Sequence, residues 1–215
     1  ARWYPNYLPQ VLTIDPSRRW MVQHAFTGVA LEVSERNSWD TALREMAQMQ
    51  IDCIPRIPQL LALGCADRRL EVLEQQIDPL FYYPLLQELA ALDAEEISRL
   101  RALAPRLKAL CTTVAAYGIP STLAHGDFHS GNIVVSGDHC IIYDWSDACV
   151  GHPFFDLHTV FLSNFPETLE NERIHLRDTY LDAWTSYGGK ELLIHAFEQS
   201  KPLNALHQAV SYRHI

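Results

Sequence analysis

Two short β-branched runs, Ile133-Val134-Val135 and Cys140-Ile141-Ile142-Tyr143, interrupt a sequence whose apolar residues otherwise recur at helical spacing. Ser136-Gly137-Asp138-His139 joins them, and a Gly/Asp turn between two such runs folds them back as an antiparallel hairpin. One small hairpin among long helical stretches leaves a narrow choice of architecture. It is an α+β fold in which a mostly helical lobe carries the hairpin. The hairpin also brings together the residues at its open end: Asn132 enters the first strand and Asp144 leaves the second.

The flanking sequence supplies the lobe. Residues 19–26 read as a strand, with Gly28 following as a breaker. Ser38 stands where it could cap a helix running to about Met49, with Leu43, Met46 and Ala47 on one face. Pro55 and Pro58 require the next helices to be short or to start at those prolines. Asp93-Ala94-Glu95-Glu96 has the spacing of a capping box. Ile97, Leu100, Leu103, Leu107, Leu110 and Val114 then form one apolar stripe, which Pro105 should kink or divide. Gly118 and Pro120 stop it. From Pro153 helical spacing returns, punctuated by Pro166 and by Gly188-Gly189, with Tyr180, Trp184 and Tyr187 spaced as a core stripe. There is no internal repeat.

Composition bounds the function. At 215 residues the chain is long enough for one large domain or one and a half. Its net charge of −9 argues against nucleic acid as a partner, because a phosphate backbone needs a basic footprint. An acidic surface suits a cationic small substrate and equally serves solubility. Five cysteines, an odd number without a Cys-x-x-Cys pair, argue against a disulfide scaffold or zinc ribbon and fit a reducing cytoplasm. No apolar run approaches the roughly 18 residues of a membrane span. Pro5, Asn6 and Pro9 break any signal-peptide pattern.

The residues around the hairpin carry a specific chemistry. His125-Gly126-Asp127-Phe128-His129-Ser130-Gly131-Asn132 is His-x-Asp with an Asn at Asp plus five, and Asp144 ends an apolar strand twelve residues later. Kinase-type phosphoryl transfer uses that set. One Asp faces the attacking hydroxyl, while an Asn and a second Asp hold magnesium on the nucleotide phosphates. Asp127 fits the first role, Asn132 and Asp144 the second. His125 is read as packing beneath the loop. His129 either meets the γ-phosphate region or is a partly exposed loop histidine, and Asp147 is either a further acid near the metal or a solvated residue. His125-x-Asp127-x-His129 could also be a metal cluster, but the downstream Gly-Asn-His-Glu block of metallophosphoesterases is missing.

Three ordered blocks carry a resemblance. They are His125 to Ile133, Ile142-Tyr143-Asp144-Trp145-Ser146-Asp147-Ala148, and Gly151-His152-Pro153-Phe154-Phe155-Asp156-Leu157. Together they resemble the aminoglycoside phosphotransferase family, which includes choline and homoserine kinases. The resemblance spans roughly residues 10–215 and is strongest over 123–158. It implies a protein-kinase-like fold, ATP as donor, Mg2+, and a small-molecule hydroxyl as acceptor. It gives Asp127 the role of catalytic base, Asn132 and Asp144 the metal, and Asp156 a bracing role beneath the loop. It places the adenine edge against the backbone of Gln23, His24 and Ala25. Residues 1–27 then correspond to a remnant of the N-terminal lobe with the interlobe strand, and 28–215 to the helical C-terminal lobe.

Two features depart from the family pattern. Gly151-His152-Pro153 stands where many relatives have Gly-Asp-Pro, and the glycine-rich nucleotide loop with its phosphate-pairing lysine is absent. The chain opens on Ala1 and stops at Ile215 within a helical pattern, so both ends are expected to be cut. The alternative expectation is a catalytically incomplete lobe that binds a ligand or partner.

Overall fold

A computed structural model describes residues 4–18, 20–83, 92–165 and 169–212, with no account of the side chains of 161–164. Arg19, Pro166 and His214 lie outside the described residues.

The hairpin forms as expected. Strands β1 (Val11–Asp15) and β2 (Trp20–Gln23) make a separate antiparallel pair, and β3 (Val29–Ala30) comes next. β4 is Ala66–Asp67, β5 Thr122–Ala124, β6 Ile133–Ser136, β7 His139–Ile142 and β8 Cys149–Gly151. β6 and β7 pair in register from Ile133↔Ile142 to Ser136↔His139, leaving Gly137-Asp138 as a two-residue turn. Gly137 takes φ 67°, the left-handed value that such a turn favours. Strand alternation sends Cys140 and Ile142 into the core, with Ile133 beside Ile142. β3 adds to the outer edge of β6. There Gly28 does more than break a strand. A Cβ at that position would lie 2.2 Å from the carbonyl oxygen of Val135, so the two backbones can approach only at a glycine. The third sheet runs β4-β8-β5 and contains a β5 strand that the sequence reading left undefined.

Helices enclose these sheets. α1 (Arg36–Cys53) starts earlier and ends later than the Ser38–Met49 expectation. Glu35 occupies the N-cap, without a side-chain cap, and Ser38 sits inside the first turn, its N–H on Glu35 O. Burial overrides the local cap signal: α1 buries an apolar stripe from Trp39 through Leu43 and Met46 to Cys53. Pro55 starts a 3-10 turn and Pro58 starts α2 (Ile57–Ala62). α3 is Leu70–Phe81. α4 (Ala94–Ala102) opens on the capping box, with both reciprocal hydrogen bonds between Asp93 and Glu96 present. Pro105 stands at the start of α5 (Ala104–Ala115) and divides the stripe, leaving Leu103 between the helices exposed.

α6 (Phe154–Asn164), α7 (Glu170–Leu181) and α8 (Lys190–Tyr212) complete the lobe. One core gathers α1, the hairpin, α6 and α7 around the fully buried Phe154, Tyr180 and Trp184. The second packs α3 and α5 against α8 and Phe155. Tyr180 and Trp184 are core residues as their spacing implied, and Tyr187 packs beside them, its ring 5.5 Å from Trp184. All five cysteines are free thiols. No described helix is long and apolar enough to cross a membrane.

Candidate active site

β5 delivers the loop. Its pairing Ala124↔Cys149 fixes the chain beside β8, and Gly126 then turns it sharply at φ 85°. A Cβ on Gly126 would lie 2.3 Å from the carbonyl oxygen of Asp147, so the turn also brings the loop against the segment after Asp144. A 3-10 turn over Ser130–Asn132 follows and leads into β6. On the far strand the Tyr143 N–H donates to Asn132 O at 3.0 Å, extending the ladder one step beyond the hairpin. That bond pairs Tyr143 with Asn132, and Asp144 follows directly where the ladder ends. Asp144 takes φ 58° and ψ 63°, the one non-glycine residue at positive φ among the described residues. Such conformations concentrate at functional sites because they carry strain.

Asp127, Asn132 and His129 share one hydrogen-bonded cluster. The Asn132 amide nitrogen donates to Asp127 O at 3.0 Å and reaches Oδ2 of the same residue at 3.3 Å. This orientation leaves Oδ1 of Asn132 as its available acceptor. His129 caps the 3-10 turn, its Nδ1 accepting from Gly131 N–H at 3.0 Å. Its Nε2 lies 3.4 Å from Asp127 Oδ2 and 3.2 Å from the Asn132 amide nitrogen. His129 is therefore folded back onto the loop beside the Asp127 carboxylate. Ser146 Oγ donates to Asp144 Oδ1 at 2.9 Å.

Two buried residues lie beneath the loop. His125 donates from Nε2 to Tyr143 O at 2.9 Å, which leaves Nδ1 to accept from Asp127 N–H at 3.3 Å. Its ring packs 4.6 Å from Trp145, and burial lowers its pKa so that it stays neutral. Asp156, from the first turn of α6, accepts from His125 N–H at 2.8 Å and Gly126 N–H at 3.0 Å. Gln50 of α1 donates to the same carboxylate at 2.9 Å. Burial pushes the Asp156 pKa up to about 7, while those three donors favour the ionised form.

Gln23, His24 and Ala25 lie exposed at the end of β2. The His24 N–H already donates to Gln10 O at 2.8 Å. This segment meets the site through Phe26, whose ring lies 5.2 Å from that of Tyr143. Among the described residues, no group of three or more His, Cys, Asp or Glu side chains is arranged to hold a metal ion.

Sequence reasoning missed Gln50. It follows Leu43, Met46 and Ala47 on the buried face of α1, and a polar residue inside an apolar stripe was the available signal. Its carbonyl oxygen accepts from the Tyr180 hydroxyl, whose oxygen also lies 3.0 Å from Pro153 O. Gln208 of α8, whose amide reaches Gly126 O, was also missed, and no local pattern marks it.

Residues 8–192 match the phosphotransferase enzyme family. The chain belongs to that family. Its fold is shared with an ethanolamine kinase of Plasmodium vivax, at 12% identity and a TM-score of 0.63 over 96% of this chain and 61% of that one. A choline kinase of Streptococcus pneumoniae aligns at 14% identity and TM-score 0.55, over 92% of this chain and 74% of that one. An aminoglycoside-3'-phosphotransferase of type VIII aligns at 17% identity and TM-score 0.54, over 93% and 76%. These likenesses show the protein-kinase-like fold. The chain spans 61% of the length of the ethanolamine kinase. No curated protein sequence matches it significantly.

The loop's geometry hinges on Gly126. Gly126→Ala combines a left-handed backbone with a clash at Asp147 O. It is expected to destabilise the protein by about 1–3 kcal/mol and to lower the melting temperature by roughly 5 °C. An unchanged thermal transition contradicts the tight turn.

Proposed function

We propose that this protein is an ATP- and magnesium-dependent phosphotransferase that moves the γ-phosphate to a hydroxyl of a small molecule. One observation carries the reading: Asp127, Asn132 and Asp144 gather at the open end of the β6–β7 hairpin. The donor set suits the metal. The Asn132 amide oxygen and the Asp144 carboxylate are hard oxygens, and magnesium is held by one or two carboxylates together with substrate phosphates rather than by a full protein cage. When bound, it would neutralise charge on the transferred group.

The chain's own residues do the rest. Asp127, with its side chain one-third exposed, takes the acceptor's hydroxyl proton as the new O–P bond forms and the bond to the leaving ADP oxygen breaks. His125 and Asp156 hold the backbone beneath it. In this reading His129, beside Asp127, meets the γ-phosphate region, and the backbone of Gln23 to Ala25 meets the adenine edge next to Phe26, whose ring lies against Tyr143. In this reading residues 1–27 correspond to a remnant of the N-terminal lobe with the interlobe strand, and 28–215 to the helical lobe that carries the chemistry.

Residues 1–107 contain no lysine to pair with the nucleotide phosphates. The second reading is a lobe that binds a ligand or partner without transferring phosphate. Transfer from γ-labelled ATP to a panel of aminosugars, choline-like alcohols, sugars and homoserine separates the two. Labelling of one class supports the enzyme. Nucleotide binding without labelling of any supports the binding module.

A further inference from the structure

The C-terminal helix reaches the loop through one side chain. Gln208 of α8 donates from its amide nitrogen to Gly126 O at 2.9 Å and to Thr159 Oγ1 at 3.2 Å. Thr159 gives its own hydroxyl proton to Phe155 O at 3.1 Å, so its oxygen can accept and both hydrogens of the Gln208 amide are committed. The carbonyl that Gln208 holds belongs to the peptide joining Gly126 to Asp127. The other edge of that peptide, Asp127 N–H, points at His125 Nδ1, 3.3 Å away. The peptide plane is thus held from both edges, by α8 on one side and by the buried His125 on the other. Gly126 could otherwise adopt several conformations, and a rotation of this plane would swing the Cα–Cβ bond of Asp127.

We infer that Gln208 is a positioning residue: by holding the Gly126–Asp127 peptide it sets the direction in which the Asp127 carboxylate meets the acceptor hydroxyl. The inference rests on the phosphotransferase reading of Asp127. Tyr212 lies one helical turn beyond Gln208 on the same face. Its hydroxyl pKa is raised by desolvation and by the carboxylates of Asp127 and Asp147. Gln208 therefore links the last turns of the chain to the reacting group without touching substrate.

Two variants test this. Gln208→Met keeps the side-chain length and removes both donors. It is expected to lower kcat about 10- to 100-fold with KM for ATP unchanged, as a small misplacement of a reacting group does. Gln208→Glu presents an ionised oxygen to the Gly126 carbonyl at neutral pH, and protonation restores a donor. Its activity relative to wild type should rise as pH falls, a signature that a merely packed residue would not give. An unchanged kcat in Gln208→Met, or a loss that only tracks the unfolded fraction, overturns the inference. Hydrogen exchange supplies a readout independent of turnover: residues 124–132 should exchange faster in Gln208→Met than in wild type while the rest of α8 does not. If the wild-type protein transfers no phosphate, the functional reading fails. Exchange in the loop still decides whether Gln208 holds it, and unchanged exchange overturns that too.

Discussion

Replacing Asp127 with Ala is expected to lower kcat for phosphoryl transfer by about 10²–10⁴-fold, the usual contribution of a positioned general base. The fold should survive. The carboxylate is partly exposed, and its contacts with Asn132 and His129, at 3.3 and 3.4 Å, are long. Asn132 keeps its 3.0 Å bond to the Asp127 carbonyl, which the substitution leaves in place. Steady-state transfer measured beside thermal unfolding checks both halves. Turnover retained by Asp127→Ala contradicts the assignment. Turnover lost together with a collapsed melting temperature transfers the effect to stability.

Mild acid should unfold the protein steeply. His152, His158 and His207 are buried at the packing surfaces of α6 and α8, and burial lowers their pKa values to about 3, 3 and 4. Neighbouring charges add to the effect: His158 for His152, Lys201 and Arg173 for His158, and Arg68 for His207. In the unfolded chain these rings titrate near 6.5. Above that pH both states are neutral and the histidines cost no stability. Below it the unfolded state binds protons that the folded state refuses, so stability falls from about pH 6.5 toward pH 4. Each group contributes about 1.4 kcal/mol per pH unit, or roughly 4 for the three.

Asp156 works in the opposite sense. Its folded pKa of about 7 lies above the unfolded 3.8, so its contribution is fully present below 3.8 and is lost as pH rises toward 7. Between those limits it offsets about 1.4 kcal/mol per unit. Together these four groups contribute a slope of roughly 3 kcal/mol per pH unit, large against the stability of an ordinary domain. Denaturant unfolding at pH 7 and pH 5 measures it. His207→Leu, which also removes two buried ring nitrogens without partners, should reduce the slope by about one proton. Equal stability at the two pH values contradicts the neutral buried histidines.

The hairpin and its cargo were legible because both depend on short-range sequence. The Gly137-Asp138 turn fixes the register, and that register pairs Asn132 with Tyr143 and so puts Asp144 just past the end of the ladder. The capping box at Asp93 and the division at Pro105 were equally local. The start of α1 was not. Ser38 carried the cap chemistry, but burial of Trp39 and Leu43 extended the helix past it to Arg36. The supports of the loop were hidden for a similar reason. Gln50 and Gln208 lie 106 and 82 residues from the groups they hold, Asp156 and Gly126, and no spacing rule connects positions so far apart. Sequence periodicity identified which faces are buried, but not which polar residue on a buried face meets the loop.

Asn132 and Asp144, the pair proposed to hold magnesium, give the most direct test of the phosphotransferase reading. ATP is titrated calorimetrically into the wild-type protein and into Asp144→Ala, each with and without magnesium. Binding that requires magnesium in the wild type and is lost in Asp144→Ala, with both proteins folded, is the expected result. Equal ATP binding by the two proteins, with or without magnesium, would contradict the role assigned to the open end of the hairpin.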